Sequence, residues 1–446
     1  MPKYEFPKNF TWGSATSSYQ IEGAAKQDGR TASIWDRFCQ TPDNVLHGDT
    51  GDVAIDHYNK YKEDVALMKE LGHAAYRFSV SWSRVLPEGV GKVNEKGLQF
   101  YSDLVDELIS EGIEPFITIY HWDLPQILQE KGGWQNPDSV LWFEEYSKVL
   151  FEKLGDRVKF WCTLNEPYCS AFLGYFAGVH APGYRDLGGA VLASYHLMLA
   201  HGASVRLFRK MNVPGEIGIT LNFTPSYPLT DSKEDKLASQ YMDGYDVRWF
   251  ADAVFKGTFP QDLLELFKER GISLPDFSEL SKAAEKIDFL GVNYYCAYTH
   301  RYNENSWPFY ADSVHQNVPK TDFGWPIHAK AFEELFVRLK DEYNAPKIYI
   351  TENGCSYNDV MNENGEVMDY SRINYLSRHI KAVHSAIQKG VDIRGYLAWS
   401  LFDNFEWAFG YSHRFGIVFC DFDTLKRTPK QSAYWLRDVI KNNGLD

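Results

Sequence analysis

KFWCTLNEP, residues 159–167, is a short run of apolar and aromatic residues that stops abruptly at Asn165, Glu166 and Pro167. Its length and its Phe, Trp and Thr content predict a buried β-strand, and its last residues predict functional groups held at the strand's C-terminal end. Seven other segments repeat the design: FTWGSATSSY (10–19), AAYRFSVSW (74–82), EPFITIYHW (114–122), EIGITLNF (216–223), DFLGVNYY (288–295), KIYITENG (347–354) and IRGYLAWSLF (393–402). Between them lie stretches with helical spacing and a closing glycine, as in KYKEDVALMKELG (60–72), GLQFYSDLVDELISEG (97–112) and SRINYLSRHIKAVHSAIQKG (371–390). Strand, helix, glycine stop and strand again is the grammar of parallel βα units. Eight such units predict an α/β fold closed on itself, a single (β/α)8 TIM barrel, rather than an open doubly wound sheet. No Ser/Gly-rich linker, Pro-rich run or long block of one charge interrupts the chain, so residues 1–446 are read as one domain. Two long segments, about 296–330 and 400–430, follow strands. Loops in that position stand on the functional face of a barrel, and their length predicts a deep, walled pocket.

The strand ends carry the chemistry. They read Tyr120-His121-Trp122-Asp123, Thr163-Leu164-Asn165-Glu166-Pro167, Asn293-Tyr294-Tyr295, Thr351-Glu352-Asn353-Gly354, and Trp399 onward to Glu406-Trp407. The C-termini of parallel barrel strands share one face, so these groups should converge. Two of them, Glu166 and Glu352, are carboxylates at the ends of apolar strands. Cleaving a glycosidic bond needs such a pair: one protonated, to give its proton to the leaving oxygen, the other ionised, to attack the anomeric carbon or activate water. A lone strand-end Glu serves equally well as a structural ion-pair partner. Two of them, with His121, Asn165, Arg77 and Trp399 on the same face, favour catalysis. Arg77 is a charge inside a strand, so it needs a carboxylate partner nearby.

Composition narrows the partners. A net charge of −14 with no offsetting cluster of Lys and Arg disfavours nucleic acid and anionic membrane, and favours a neutral small molecule. Aromatic residues make up 16% of the chain, enough to stack on the apolar C–H faces of sugar rings as well as to fill a core. Cys39, Cys162, Cys169, Cys296, Cys355 and Cys420 form no CxxC pair and no zinc spacing, and read as reduced thiols. With no HExxH, P-loop or dinucleotide fingerprint, no metal and no organic cofactor is expected. The N-terminus lacks a signal-peptide pattern and no run approaches the ~20 apolar residues of a membrane span, so a soluble, cytoplasmic protein is expected. Without such a signal, the glycosylation match at Asn222-Phe223-Thr224 carries no weight. Homo-oligomerisation stays open.

The quoted motifs bear a resemblance. FTWGSATSSYQIEGA (10–24), HWDLP (121–125), TLNEP (163–167), GVNYY (291–295), YITENG (349–354), WSLFDNFEWAFGY (399–411) and RFGIV (414–418) occur in order. Over about residues 5 to 443 the chain resembles glycoside hydrolase family 1, the β-glucosidases and β-galactosidases. The resemblance implies a (β/α)8 barrel and a retaining β-glucosidase that works through a covalent glycosyl-enzyme. The substrates it implies are terminal β-D-glucosyl residues of cello-oligosaccharides and aryl β-glycosides. By motif position, Glu166 is the implied acid/base and Glu352 the implied nucleophile, with carboxyl groups roughly 5–5.5 Å apart. Gln20 is implied to bind the sugar's 3- and 4-hydroxyls, and His121 and Trp122 to meet the 3-hydroxyl side. Asn165 takes the 2-hydroxyl, Glu406 the 4- and 6-hydroxyls and Trp407 the 3-hydroxyl, with Trp399 as the floor. Gln20 and Glu406 suit either C4 epimer, so β-galactosyl and β-fucosyl substrates are expected too. Arg77 and Tyr295 should hold Glu352 in its charged form, and Asn293 should support the acid/base side. Glu166 should start protonated and switch to base once the glycosyl ester removes its partner's charge.

One departure from the family pattern follows the acid/base motif, where the usual Trp is replaced by Tyr168, followed by Cys169. With His180 and Trp325 these should line the leaving-group subsite, altering preference rather than chemistry. Cys169 and Cys355 beside the two motifs are unusual; buried packing or thiol-reagent sensitivity are their two readings. Two rival functions stand beside the main one. A 6-phospho-β-glucosidase would need cations where Glu406 instead opposes a phosphate. A non-catalytic sugar-binding relative would be expected to lack one of the two glutamates.

Overall fold

The computed structural model describes residues 2–315 and 317–446. Eight strands form a closed parallel barrel: β1 Thr11–Ala15, β2 Ala75–Ser79, β3 Glu114–Tyr120, β4 Phe160–Asn165, β5 Glu216–Asn222, β6 Phe289–Asn293, β7 Lys347–Asn353 and β8 Ile393–Trp399. Neighbours in sequence are neighbours in the barrel, and β8 pairs with β1 to close it. Every predicted strand is present. The first was drawn too long: β1 ends at Ala15, and Ser18–Ile21 is a short helix that holds Gln20 above the barrel rim. The last was also too long, since the chain leaves β8 after Trp399.

The crossovers are helices, as the periodicity predicts. His57–Glu70 buries Val65 and Met68 against the barrel. It is followed by Gly72 at φ 75°, a left-handed position that glycine adopts without steric cost. Glu95–Ser110 and Tyr370–Gln388 are the other two predicted helices. The segment after β6 supplies two strands, Tyr298–Tyr302 and Ala311–Val314, which join Ser226–Pro228 from the segment after β5 in a small three-stranded sheet. The segment after β8 is pinned by buried ion pairs. Lys430 lies 2.5 Å from Asp359 and 2.7 Å from Asp403, and Asp403 also meets Arg414 at 2.7 Å. That clamp fixes the loop carrying Glu406 and Trp407.

The lower barrel is plugged by aromatic rings. Phe116 stacks on Phe160 at 5.1 Å between centroids and meets Phe289 and Tyr349 edge-on at 5.2 and 5.6 Å. Positions two residues further along these strands sit above the plug: Arg77 above Ala75, Thr118 above Phe116, Thr351 above Tyr349. Alternation thus stacks an apolar floor under a polar layer. Phe116→Ala is expected to lower unfolding free energy by about 3–5 kcal/mol, because the rings around it cannot collapse into the gap; denaturant unfolding measures this directly.

Candidate active site

Above the plug, the C-terminal ends of the strands open into a cavity of about 300 Å³ lined by Glu166, Glu352 and Glu406, among largely aromatic walls. Strict alternation would not put all of these groups there. On β4 the register shifts between Cys162 and Asn165, and on β7 between Ile350 and Glu352. Such irregularities re-aim side chains. On β7 the shift lets Thr351 and Glu352, adjacent in sequence, both act within the same polar network.

Glu352 is held by two donors. Arg77 Nη1 donates to its Oε1 and the Tyr295 hydroxyl to its Oε2, each at 2.6 Å. Arg77 is fully buried and is held in turn by Thr118 Oγ1 at 3.0 Å and Asn165 Oδ1 at 2.6 Å. Gly354 lets β7 approach β8: a Cβ there would collide with the Trp399 carbonyl, so glycine is required for Trp399 to lie beside Glu352. Burial raises the Glu352 carboxyl above its ordinary value, and the Arg77 charge and the Tyr295 hydrogen bond offset only part of that rise.

Glu166 has no cation in direct contact. Its Oε1 accepts from Asn293 Nδ2 at 2.6 Å and its Oε2 from Cys169 Sγ at 3.0 Å. The Asn293 amide is oriented by Thr351 Oγ1, which donates to its Oδ1 at 2.7 Å. Burial, and then the facing charge of Glu352, push the Glu166 carboxyl up to about 8. The two carboxyls therefore sit in opposite surroundings, guanidinium and phenol on one side, amide and thiol on the other. The proton of the pair belongs on Glu166. Glu166 also has a left-handed backbone, φ 44°, as do Trp122 at 78° and Trp407 at 51°. Each such residue costs on the order of 1–3 kcal/mol, a strain characteristic of functional sites.

The remaining predicted residues fall into two shells. Asn165 Oδ1 accepts from Arg77 and Asn293, so its Nδ2 must face His121 Nε2, 3.0 Å away. His121 Nε2 is then the acceptor and the proton is on Nδ1; burial, and the Arg77 charge, keep the ring neutral. The His121 ring stacks on Trp399 and Trp407, each at 5.9 Å. Trp122 lines the cavity with its ring, while its N–H is spent on the Asn165 carbonyl at 2.9 Å. Gln20, like Asn165, is fully buried behind the lining, and reaches the Phe405 carbonyl at 2.8 Å and Glu406 at 3.4 Å. Burial, then the charges of Glu352 and Glu166, raise Glu406 to about 8. Tyr168, Cys169, His180 and Trp325 all reach the cavity, with Trp325 packed 5.0 Å from Tyr295. Cys355 does not; it is wholly buried.

Sequence reasoning missed several residues. Thr118 and Thr351 orient Arg77 and Asn293, but a Thr in a strand carries no signal beyond β-propensity. Phe323 and Phe415 wall the cavity from loops without periodicity. Asn222 and Thr224, noticed only as a glycosylation match, border the cavity at the end of β5. Among the described residues no group of three or more His, Cys, Asp or Glu is placed to hold a metal ion. Among them, too, no helix is long and apolar enough to cross a membrane.

With this geometry in place, comparison with known proteins is direct. The model of glycosyl hydrolase family 1 matches residues 2–445. Beta-glucosidase A of Acetivibrio thermocellus is 48% identical over 100% of both chains. The 1,4-beta-D-glucan glucohydrolase of Thermotoga neapolitana is 49% identical over 99% of both. The family 1 β-glucosidase of Thermotoga maritima, 48% identical, superposes with a TM-score of 0.97 over 99% of this chain and 100% of that one. In complex with deoxynojirimycin the same protein gives 0.96. The chain belongs to glycosyl hydrolase family 1.

Proposed function

We propose that this chain is a retaining β-glucosidase, with residues 1–446 acting as one catalytic domain. It releases terminal non-reducing β-D-glucosyl residues, and β-galactosyl and β-fucosyl residues as well, from cello-oligosaccharides and aryl β-glycosides. The observation that carries this reading is the opposed surroundings of Glu166 and Glu352 in one cavity. The names of the relatives, and the sugar-like inhibitor bound by the Thermotoga maritima protein, support glucose as the sugar.

In the first step Glu352 attacks the anomeric carbon as Glu166 gives its proton to the leaving oxygen; the glycosidic bond breaks and an α-glycosyl ester forms on Glu352. The ester removes the charge that kept Glu166 protonated. Glu166, now a carboxylate, takes a proton from water as the water oxygen attacks the anomeric carbon and frees Glu352. The sugar lies over Trp399 beside the Trp122 ring, with hydroxyl contacts from His121, Glu406 and Trp407, while Gln20 and Asn165, buried behind the lining, act through Glu406 and Arg77. The leaving group lies toward Tyr168, Cys169, His180 and Trp325.

A panel of kcat/KM values tests this: aryl β-glucoside, β-galactoside, β-fucoside, cellobiose and an aryl 6-phospho-β-glucoside. The neutral sugars should all turn over. The phosphorylated one should fall at least about 100-fold below the glucoside, because among the described residues no Lys or Arg lines the cavity and an unpaired dianion there costs several kcal/mol. Preference for the 6-phosphate would refute the reading. The profile of kcat/KM against pH should fall above about pH 8, where Glu166 loses the proton it must donate.

A further inference from the structure

We infer that Cys169 is a positioning residue for Glu166: its thiol fixes the carboxyl oxygen that exchanges the proton and eases the return of Glu166 to its charged form. The inference rests on the assignment of Glu166 as acid/base.

The geometry of the carboxyl carries the argument. Glu166 Oε1 accepts from Asn293 Nδ2, and an amide N–H can only donate. The orientation of that amide is locked, because Asn293 Oδ1 already accepts from Thr351. A proton on Oε1 would have to compete with a fixed donor, so the transferable proton belongs to Oε2. That is the oxygen Cys169 Sγ meets at 3.0 Å. A thiol suits this place better than an obligate donor, since sulfur both donates and accepts weakly. When Glu166 is an acid, S–H leaves Oε2 free to carry its proton and point it at the leaving oxygen. When Glu166 is a base, the same S–H donates to the carboxylate. Neither state is frozen, and the charged state is modestly favoured.

The contact is built by the local fold. Glu166 stands in the left-handed region, and the chain then enters a wide helical segment, Cys169–Ala177, whose first residue turns back to the carboxyl three positions earlier. Cys169 is 6% exposed and lines the cavity, yet it is not a reactive thiol. Burial, and then the charge of Glu166, hold it as S–H, which is the form a donor needs. Cys162 Sγ lies instead 3.3 Å from Thr220 Oγ1, and Cys355 does not reach the cavity.

The test compares Cys169→Val, which fills the space without a donor, with Cys169→Ser, which keeps a donor and strengthens it. Melting temperature confirms that each is folded. The readout is the basic limb of kcat/KM with an aryl β-glucoside. Removing a hydrogen bond to the charged form raises the pKa of Glu166. The limb should therefore move to higher pH by about half a unit in the Val variant, and return to or below the wild-type position in the Ser variant. The acid limb, set by Glu352, should stay. A fall in rate with an unmoved basic limb in the Val variant would reduce Cys169 to packing and overturn the inference. A parallel arm with Glu166→Ala separates the two claims. If that variant retains the basic limb, the acid/base assignment itself fails. If it loses the limb while the Cys169 variants do not shift theirs, only the role of Cys169 fails.

Discussion

Replacing Glu352 by glycine is expected to lower kcat on aryl β-glucosides by about 10⁵-fold, close to 7 kcal/mol of barrier, with the fold intact. The size follows from what the residue does and from what surrounds it. Without the carboxylate no covalent intermediate forms, and water would have to attack from the same side without a base. Arg77 and Tyr295 would remain, 2.6 Å from where the two oxygens were, as a donor pair facing an empty site. Such a site accepts a small anion. The loss should therefore be specific to the nucleophile and open to chemical repair, which a collapsed or misfolded barrel would not be. Thermal unfolding checks the fold, and steady-state kinetics on a 4-nitrophenyl glucoside checks the rate.

Glu166→Ala should act differently, and the difference depends on the leaving group. For cellobiose or an alkyl glucoside, which need a proton to depart, kcat/KM should fall on the order of 10⁴-fold, the upper range for a general acid. For 2,4-dinitrophenyl glucoside, whose leaving group departs unprotonated, the first step should be nearly unaffected. The missing base then slows the second step, the glycosyl-enzyme accumulates, and kcat and KM fall together. A uniform loss across leaving groups would argue against a proton donor at this position. The basic limb expected near pH 8 in the parent should disappear with the residue.

These outcomes depend on features that were unequally visible in the sequence. The barrel was legible because each strand is a short apolar run ending in polar residues, and because several intervening helices close on a glycine, such as Gly72, Gly112 and Gly390. The glutamates were legible for a related reason: a charge at the end of an apolar strand is expensive unless it is used or paired. What pairing alone could not show is how side chains turn. Alternation along KIYITENG points Thr351 and Glu352 to opposite sides, and the register shift on β7 brings both into one network. The same holds for Asn165 on β4. The left-handed backbones of Trp122, Glu166 and Trp407 have no sequence signature, because left-handed positions are ordinarily read from glycine or asparagine. Cys169 shows the consequence. Three residues from Glu166 it reads as part of the leaving-group subsite, as packing or as a reactive thiol, and only the backbone turn at Glu166 brings the thiol to the carboxyl.

Loop walls were the least visible. Phe323 and Phe415 come from segments whose length predicted a deep pocket but whose lining no periodicity marks. Gln20 lies just past the predicted first strand and stands on a short helix behind Glu406, with its amide nitrogen on the Phe405 carbonyl. Its motif located it; its local structure had to be seen.

The central claim is that Glu352 attacks the sugar from one side while Glu166 works from the other. The configuration of the glucosyl azide formed by the two variants measures this most directly. With azide added, Glu352→Gly should recover turnover and release α-glucosyl azide, because the anion enters where the nucleophile stood. Glu166→Ala acting on 2,4-dinitrophenyl glucoside should release β-glucosyl azide, because the anion enters from the acid/base side of the glycosyl-enzyme. Proton NMR of the anomeric position distinguishes the two products. The reverse pairing, or folded variants that azide does not rescue, would contradict the account.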